Sequence, residues 1–160
     1  MIKFLFYIFV LLQVNPQSSF DLEEFFEACE KGNLQIVKDA ISSGIKVNQR
    51  ISQGKFSGKT ALMVAAMKGK KEIVRFLISN GADLNYQEDA TGSLKRQAFD
   101  GFTALLYAAD SDQEEVVKIL VNNGANVNQK SKTGISPLSL AKLWQNEDMI
   151  RSLKNAGAVE

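Results

Sequence analysis

Apolar residues recur in one short arrangement along most of the chain. Between Gly58 and Asn85, Leu62, Ala65 and Ala66 lie on one side of a short helix, where the paired alanines permit close packing. After Gly69 a second group, Ile73, Val74, Leu77 and Ile78, takes the i, i+1, i+4, i+5 spacing of an amphipathic helix. Thr60 stands where a side-chain oxygen can satisfy a first-turn N–H, and Asn80-Gly81 supplies the C-terminal stop. The unit therefore reads turn, short helix, turn, longer helix, turn. It recurs from Gly101 to Asn128 after a shift of 43 residues and from Gly134 to Gly157 after a further 33. Its second half recurs from Gly32 to Asn48 after a shift of 37 towards the N-terminus. A single unit cannot bury its apolar face alone, so copies with a period near 33 must stack.

The motifs have a family likeness. Gly58-Lys-Thr-Ala-Leu-Met-Val-Ala65, Gly101-Phe-Thr-Ala-Leu-Leu-Tyr-Ala108 and Gly134-Ile-Ser-Pro-Leu-Ser-Leu-Ala141 resemble the ankyrin pattern Gly-x-Thr-Pro-Leu-His-x-Ala. Glu72 to Asn85 and Glu115 to Asn128 resemble its second half, and Gln35-Ile36-Val37 with Gly44 to Asn48 is a degenerate copy. The resemblance implies an all-α ankyrin-repeat solenoid of four helix–turn–helix repeats with β-hairpin finger loops. Its repeats span about 20–55, 56–98, 99–131 and 132–160. The family's proline is present only as Pro137, and its histidine is replaced by Met63, Leu106 or Ser139, which predicts a less reinforced stack. The glycine between helices gives way to Asp112 and Gln145 in the last two copies.

Residues 1–19 break the pattern. One charge, Lys3, precedes nine unbroken apolar residues from Phe4 to Leu12, and a polar stretch with Pro16 follows. This three-part layout predicts a secretory signal peptide over 1–19, cut near Ser18 or Ser19. Nine residues are too few to span a bilayer, which takes about 20. A buried first helix and an uncleaved membrane anchor are the competing readings. In residues 20–160, Asp21 and Asn33 are placed as helix caps, and Cys29 occupies a close-packed alanine position where burial is expected rather than chemistry.

The loops of 49–59 and 86–102 carry 4 and 10 residues beyond the period, and the longer admits partner contact or tolerated insertion alike. Their tips hold Arg50, Lys55, Lys59, Lys95 and Arg96, with Lys130 and Lys132 nearby; a solvated rim and a preference for an acidic partner both fit. Overall charge excludes a general pull. The chain sums to +1 with Lys3 included, and residues 20–160 to zero, so neither nucleic acid nor an anionic membrane is implied as partner.

No catalytic constellation is legible. The absence of histidine removes Ser–His and Cys–His nucleophile pairs and the common zinc sites. Gly54 to Thr60 imitates a phosphate loop but its glycines are spaced one residue too closely. Glu114-Glu115 and Glu147-Asp148 sit in first helical turns, where the helix dipole explains them. The expectation is a non-enzyme without cofactor, metal or small-molecule substrate. By resemblance, Val64, Tyr107 and Leu140 point from the first helices into a concave groove, with Met67 and Trp144 one turn on. Trp144 is expected to fill a gap between repeats. Candidate partner-binding residues are Val64, Met67, Tyr107, Asp110 and Leu140 in the groove, and Lys59, Lys95 and Arg96 on the fingers. The expected function is a monomeric protein-binding module, similar to exported bacterial ankyrin proteins of the periplasm or the secreted fraction, without stable membrane insertion once the leader is cut. The alternatives are an accessory or protective factor for a periplasmic enzyme, an effector binding host proteins, and a membrane-tethered scaffold if the leader stays.

Overall fold

The computed structural model describes residues 21–52, 54–89 and 99–159; the leader and the tip of the long finger, with Lys95 and Arg96, lie outside the described residues. Four helix pairs follow one another: α1 (Leu22–Lys31) with α2 (Leu34–Ser42), α3 (Ala61–Met67) with α4 (Lys71–Ser79), α5 (Ala104–Asp110) with α6 (Glu114–Asn122), and α7 (Pro137–Leu143) with α8 (Glu147–Asn155). The first helices of the pairs stack in one row and the second helices in another, as an ankyrin solenoid does. The expected hairpin strands are not formed among the described residues. The roots of the long finger instead exchange two backbone bonds, Glu88 N–H to Phe102 O at 2.7 Å and Gly101 N–H to Glu88 O at 2.8 Å.

Local chemistry starts each helix. Asp21, Asn33, Thr60, Thr103, Ser136 and Asn146 accept first-turn N–H groups through their side chains. Where the family's histidine is missing, two of its replacements still reach back. Thr60 N–H donates to Met63 Sδ at 3.5 Å, and Ser136 N–H to Ser139 Oγ at 3.0 Å. Asp112 and Gln145, the two residues in glycine's place between helices, both hold the left-handed conformation that glycine would, each at φ 54°.

One continuous core runs from Phe25 in α1 to Leu153 in α8. Its first-helix row is built on Ala28, Ala65, Ala66, Ala108, Ala109 and Ala141, small enough for adjacent helices to approach closely. The turns after the second helices are laced together by asparagines. Asn48 accepts Asp83 N–H at 2.8 Å and donates to Gly81 O at 3.0 Å. Asn85 accepts Asn126 N–H at 2.8 Å, and Asn128 accepts Val159 N–H at 2.9 Å while donating to Gly157 O. Each of the first three repeats thus hands one or two bonds to the next through an asparagine equivalent in register.

Candidate partner-binding face

The finger roots are anchored by aromatic rings. Phe56 is buried, with its ring 5.6 Å from Phe26. Phe99 stacks on Tyr107 at 5.9 Å and 16°, and Phe102 meets the same ring at 5.2 Å. On Tyr107 the second and third repeats also exchange charge. Its hydroxyl donates to the carboxylate of the buried Glu88, and Lys59 Nζ lies 2.9 Å from that carboxylate and 5.0 Å from the Tyr107 ring centroid.

These contacts correct four of the expected site residues. Tyr107 is 2% exposed, roofed by Phe99 and Phe102 rather than open to a groove. Val64 and Leu140, at the same register position, are buried in the core. Lys59, its side chain 12% exposed, is held by Glu88 rather than offered at a rim. Other finger cations are engaged as well. Lys55 pairs with Glu30, Lys132 reaches Asp100 at 3.0 Å, and Arg50 donates to Tyr86 Oη at 2.5 Å while lying over its ring. Lys55 first, and then Lys68, hold the Glu30 carboxyl below its ordinary range against the opposing effect of burial.

Accessibility returns one helical turn further along the first helices. Met67 and Asp110 are half-buried, and Leu143 follows Asp110 by 33 residues at 71% exposure. Trp144, next in chain, is half exposed. Its indole N–H donates to Asp110 O at 2.8 Å, so one edge ties the last two repeats together, as gap-filling requires, and the rest faces solvent. Leu143 was legible in principle, since it shares a register with Met67 and Asp110. Burial raises the Asp110 carboxyl above its ordinary value. Among the described residues this carboxylate joins no hydrogen bond or ion pair, and it sits at the C-terminal end of α5, where the helix dipole disfavours negative charge.

Cys29 is fully buried, and burial pushes its thiol up to about 12, so it is an inert core residue. A cleft of about 370 Å³ between the first two fingers is lined by Arg50, Ile51, Ser52, Ser57, Gly58 and Asp89. Among the described residues no three His, Cys, Asp or Glu side chains converge as a metal site, and no helix is long and apolar enough to cross a membrane.

Known proteins place this architecture. The chain is 36% identical over 67 residues to the mouse (Mus musculus) ankyrin repeat, SAM and basic leucine zipper domain-containing protein 1, a match covering 42% of this chain and 13% of that protein. It is 42% identical over 65 residues to the zebrafish (Danio rerio) ankyrin repeat domain-containing protein 29, covering 40% of this chain and 20% of the relative. The matched stretch thus spans a fifth or less of these curated relatives. Ankyrin repeats generally mediate protein–protein interaction and form a non-enzymatic module. The family model described as ankyrin repeats (3 copies) matches residues 25–131 and 89–159, nearly all of the described structure, and the chain belongs to the ankyrin-repeat family.

Proposed function

We propose that this protein is an exported, non-enzymatic module that binds one partner protein along the open side of its first-helix row. The observation that carries the reading is the row Met67, Asp110, Leu143 and Trp144. It places the two exposed large apolar side chains of α7 and its cap beside a carboxylate with no partner among the described residues, whereas the finger cations Lys55, Lys59 and Lys132 are engaged within the fold. Aromatic and methionine side chains on an open face are the usual anchors of protein interfaces. The neutral charge of residues 20–160 supports a protein rather than a nucleic acid or anionic membrane as partner.

The test is capture from the native source by tagged protein beside a Leu143→Glu variant, with circular dichroism to confirm that the variant folds. One protein should copurify with the wild type and be lost from the variant; equal retention by both would sink the assignment of the face. Export rests on the layout of residues 1–19, and a bacterial cell as its source on such a leader standing before a plain repeat domain with a single cysteine. The mature mass should lack roughly the first 18 or 19 residues, and an intact mass with Met1 would favour a tethered scaffold.

A further inference from the structure

The face carries an asymmetry that narrows its partner. At its first-repeat end charge is neutralised internally: Glu30 takes Lys55 and Lys68, and Glu27 takes Lys31. At the other end Asp110 is half-buried and, among the described residues, unmatched, with the indole of Trp144 against its own backbone and Leu143 in the equivalent position of the next repeat. Such an arrangement costs stability. Desolvation and the α5 dipole both oppose the ionised carboxylate, and no cation among the described residues answers it. Packing would be served better by an uncharged residue. A cation delivered from outside would be matched by the carboxylate while its flat face lay on the indole.

Resting on the reading that this row is the binding face, we propose that Asp110 and Trp144 form a receptor for an arginine side chain presented by a partner protein, with Leu143 taking an adjacent apolar residue. Arginine fits better than lysine. The planar guanidinium pairs with a carboxylate through two N–H donors and stacks on an aromatic ring, whereas an ammonium is a compact, strongly hydrated point charge. Met67, one repeat away on the same strip, extends the apolar contact for a segment lying along the row.

The protein holds its own reporter, because Trp144 is its one tryptophan. Its fluorescence is titrated with acetyl-Leu-Arg-Leu-amide, and with the same peptide carrying citrulline, which keeps the shape and loses the charge, or lysine. The arginine peptide should give a saturable change with Kd on the order of 1 mM, as suits one anchor of a larger contact. The citrulline peptide and the Asp110→Asn variant should each weaken it at least about tenfold, and the lysine peptide should fall between. Stability separates a lost contact from a lost fold. A raised carboxyl pKa means that Asp110 contributes stability only while protonated, and that contribution is lost as pH rises from the ordinary 3.8 through the higher folded value. Asp110→Asn should therefore melt no lower than the wild type at pH 7 and should flatten the pH dependence just above the ordinary carboxylate range.

No saturable response to the arginine peptide, or equal responses to arginine and citrulline, overturns the proposal. If the partner capture described above is still lost in Leu143→Glu, the face stands and only its arginine specificity falls. Concentration-dependent self-association abolished by Asp110→Asn would seat a second copy's arginine there and overturn a separate partner.

Discussion

At the residue scale, the two left-handed positions between helices separate backbone cost from side-chain gain. Gln145 and Asp112 share φ 54°, a conformation that costs a non-glycine residue about 1–2 kcal/mol. Asp112 recovers part of this, because its carboxylate accepts Asn146 Nδ2–H at 2.8 Å, linking the third repeat to the cap of α8. The side chain of Gln145 is exposed. Gln145→Gly should raise stability by about 0.5–1 kcal/mol, after allowing for the larger unfolded entropy of glycine, and lift Tm by about 2 °C. Asp112→Gly should show no net gain, since it removes the bond to Asn146. Thermal melts of the two variants side by side give the comparison, and a gain at Asp112 equal to that at Gln145 would show that the Asn146 bond contributes nothing.

Between elements, the clasp of Lys59, Glu88 and Tyr107 joins the second repeat to the third across the root of the long finger. Two charges in a buried place are stabilising mainly in the sense that neither tolerates the loss of the other. Lys59→Met should therefore destabilise the fold by about 3 kcal/mol in urea unfolding, and Lys59→Met with Glu88→Gln should cost less than the sum of the single changes. Additive losses would mean that the pair is not coupled. This clasp also marks where sequence reading ran out. The helices, their caps at Asp21, Asn33 and Thr60, and the close-packed burial of Cys29 follow from local chemistry and the 33-residue period, and the structure has them in those places. Tyr107 obeys the same period, yet the insertion before Gly101 brings Phe99 over its ring, and Phe102, at the variable position of the Gly-x-Thr motif, meets it from a second side. A repeat pattern describes what all copies share, and an insertion is by definition what one copy does not. Phe56, Phe99 and Phe102 are the available signal, as three phenylalanines in loops rich in charged and polar residues. The open row one turn on is half legible: the register points to Met67 and Asp110, and Leu143 stands 33 residues beyond Asp110 at the same place in the repeat.

Across the whole molecule, the question is whether four repeats melt as one body. Each repeat contacts only its neighbours, so in a linear stack an end can fray when its interface is weaker than the others. The first repeat, with its degenerate motif, is the place to look. It is nevertheless tied down by three independent contacts: the Phe26–Phe56 ring pair, the Glu30 bridge to Lys55 and Lys68, and the Asn48 bonds to Gly81 and Asp83. The last repeat is tied by the Trp144 and Asn128 bonds and shares the same continuous core. Two native probes sit at the two ends. Cys29 in α1 is fully buried with a thiol pushed up to about 12, so it reacts with a thiol reagent only when the first repeat opens, and Trp144 reports on the last. Labelling of Cys29 and the fluorescence of Trp144, followed through one urea series, should give the same midpoint and the same slope, the mark of a single cooperative unit. Labelling at lower urea than the fluorescence transition would show the first repeat opening by itself. The three ties to it would then be weaker than the alanine-lined packing that holds the other first helices together.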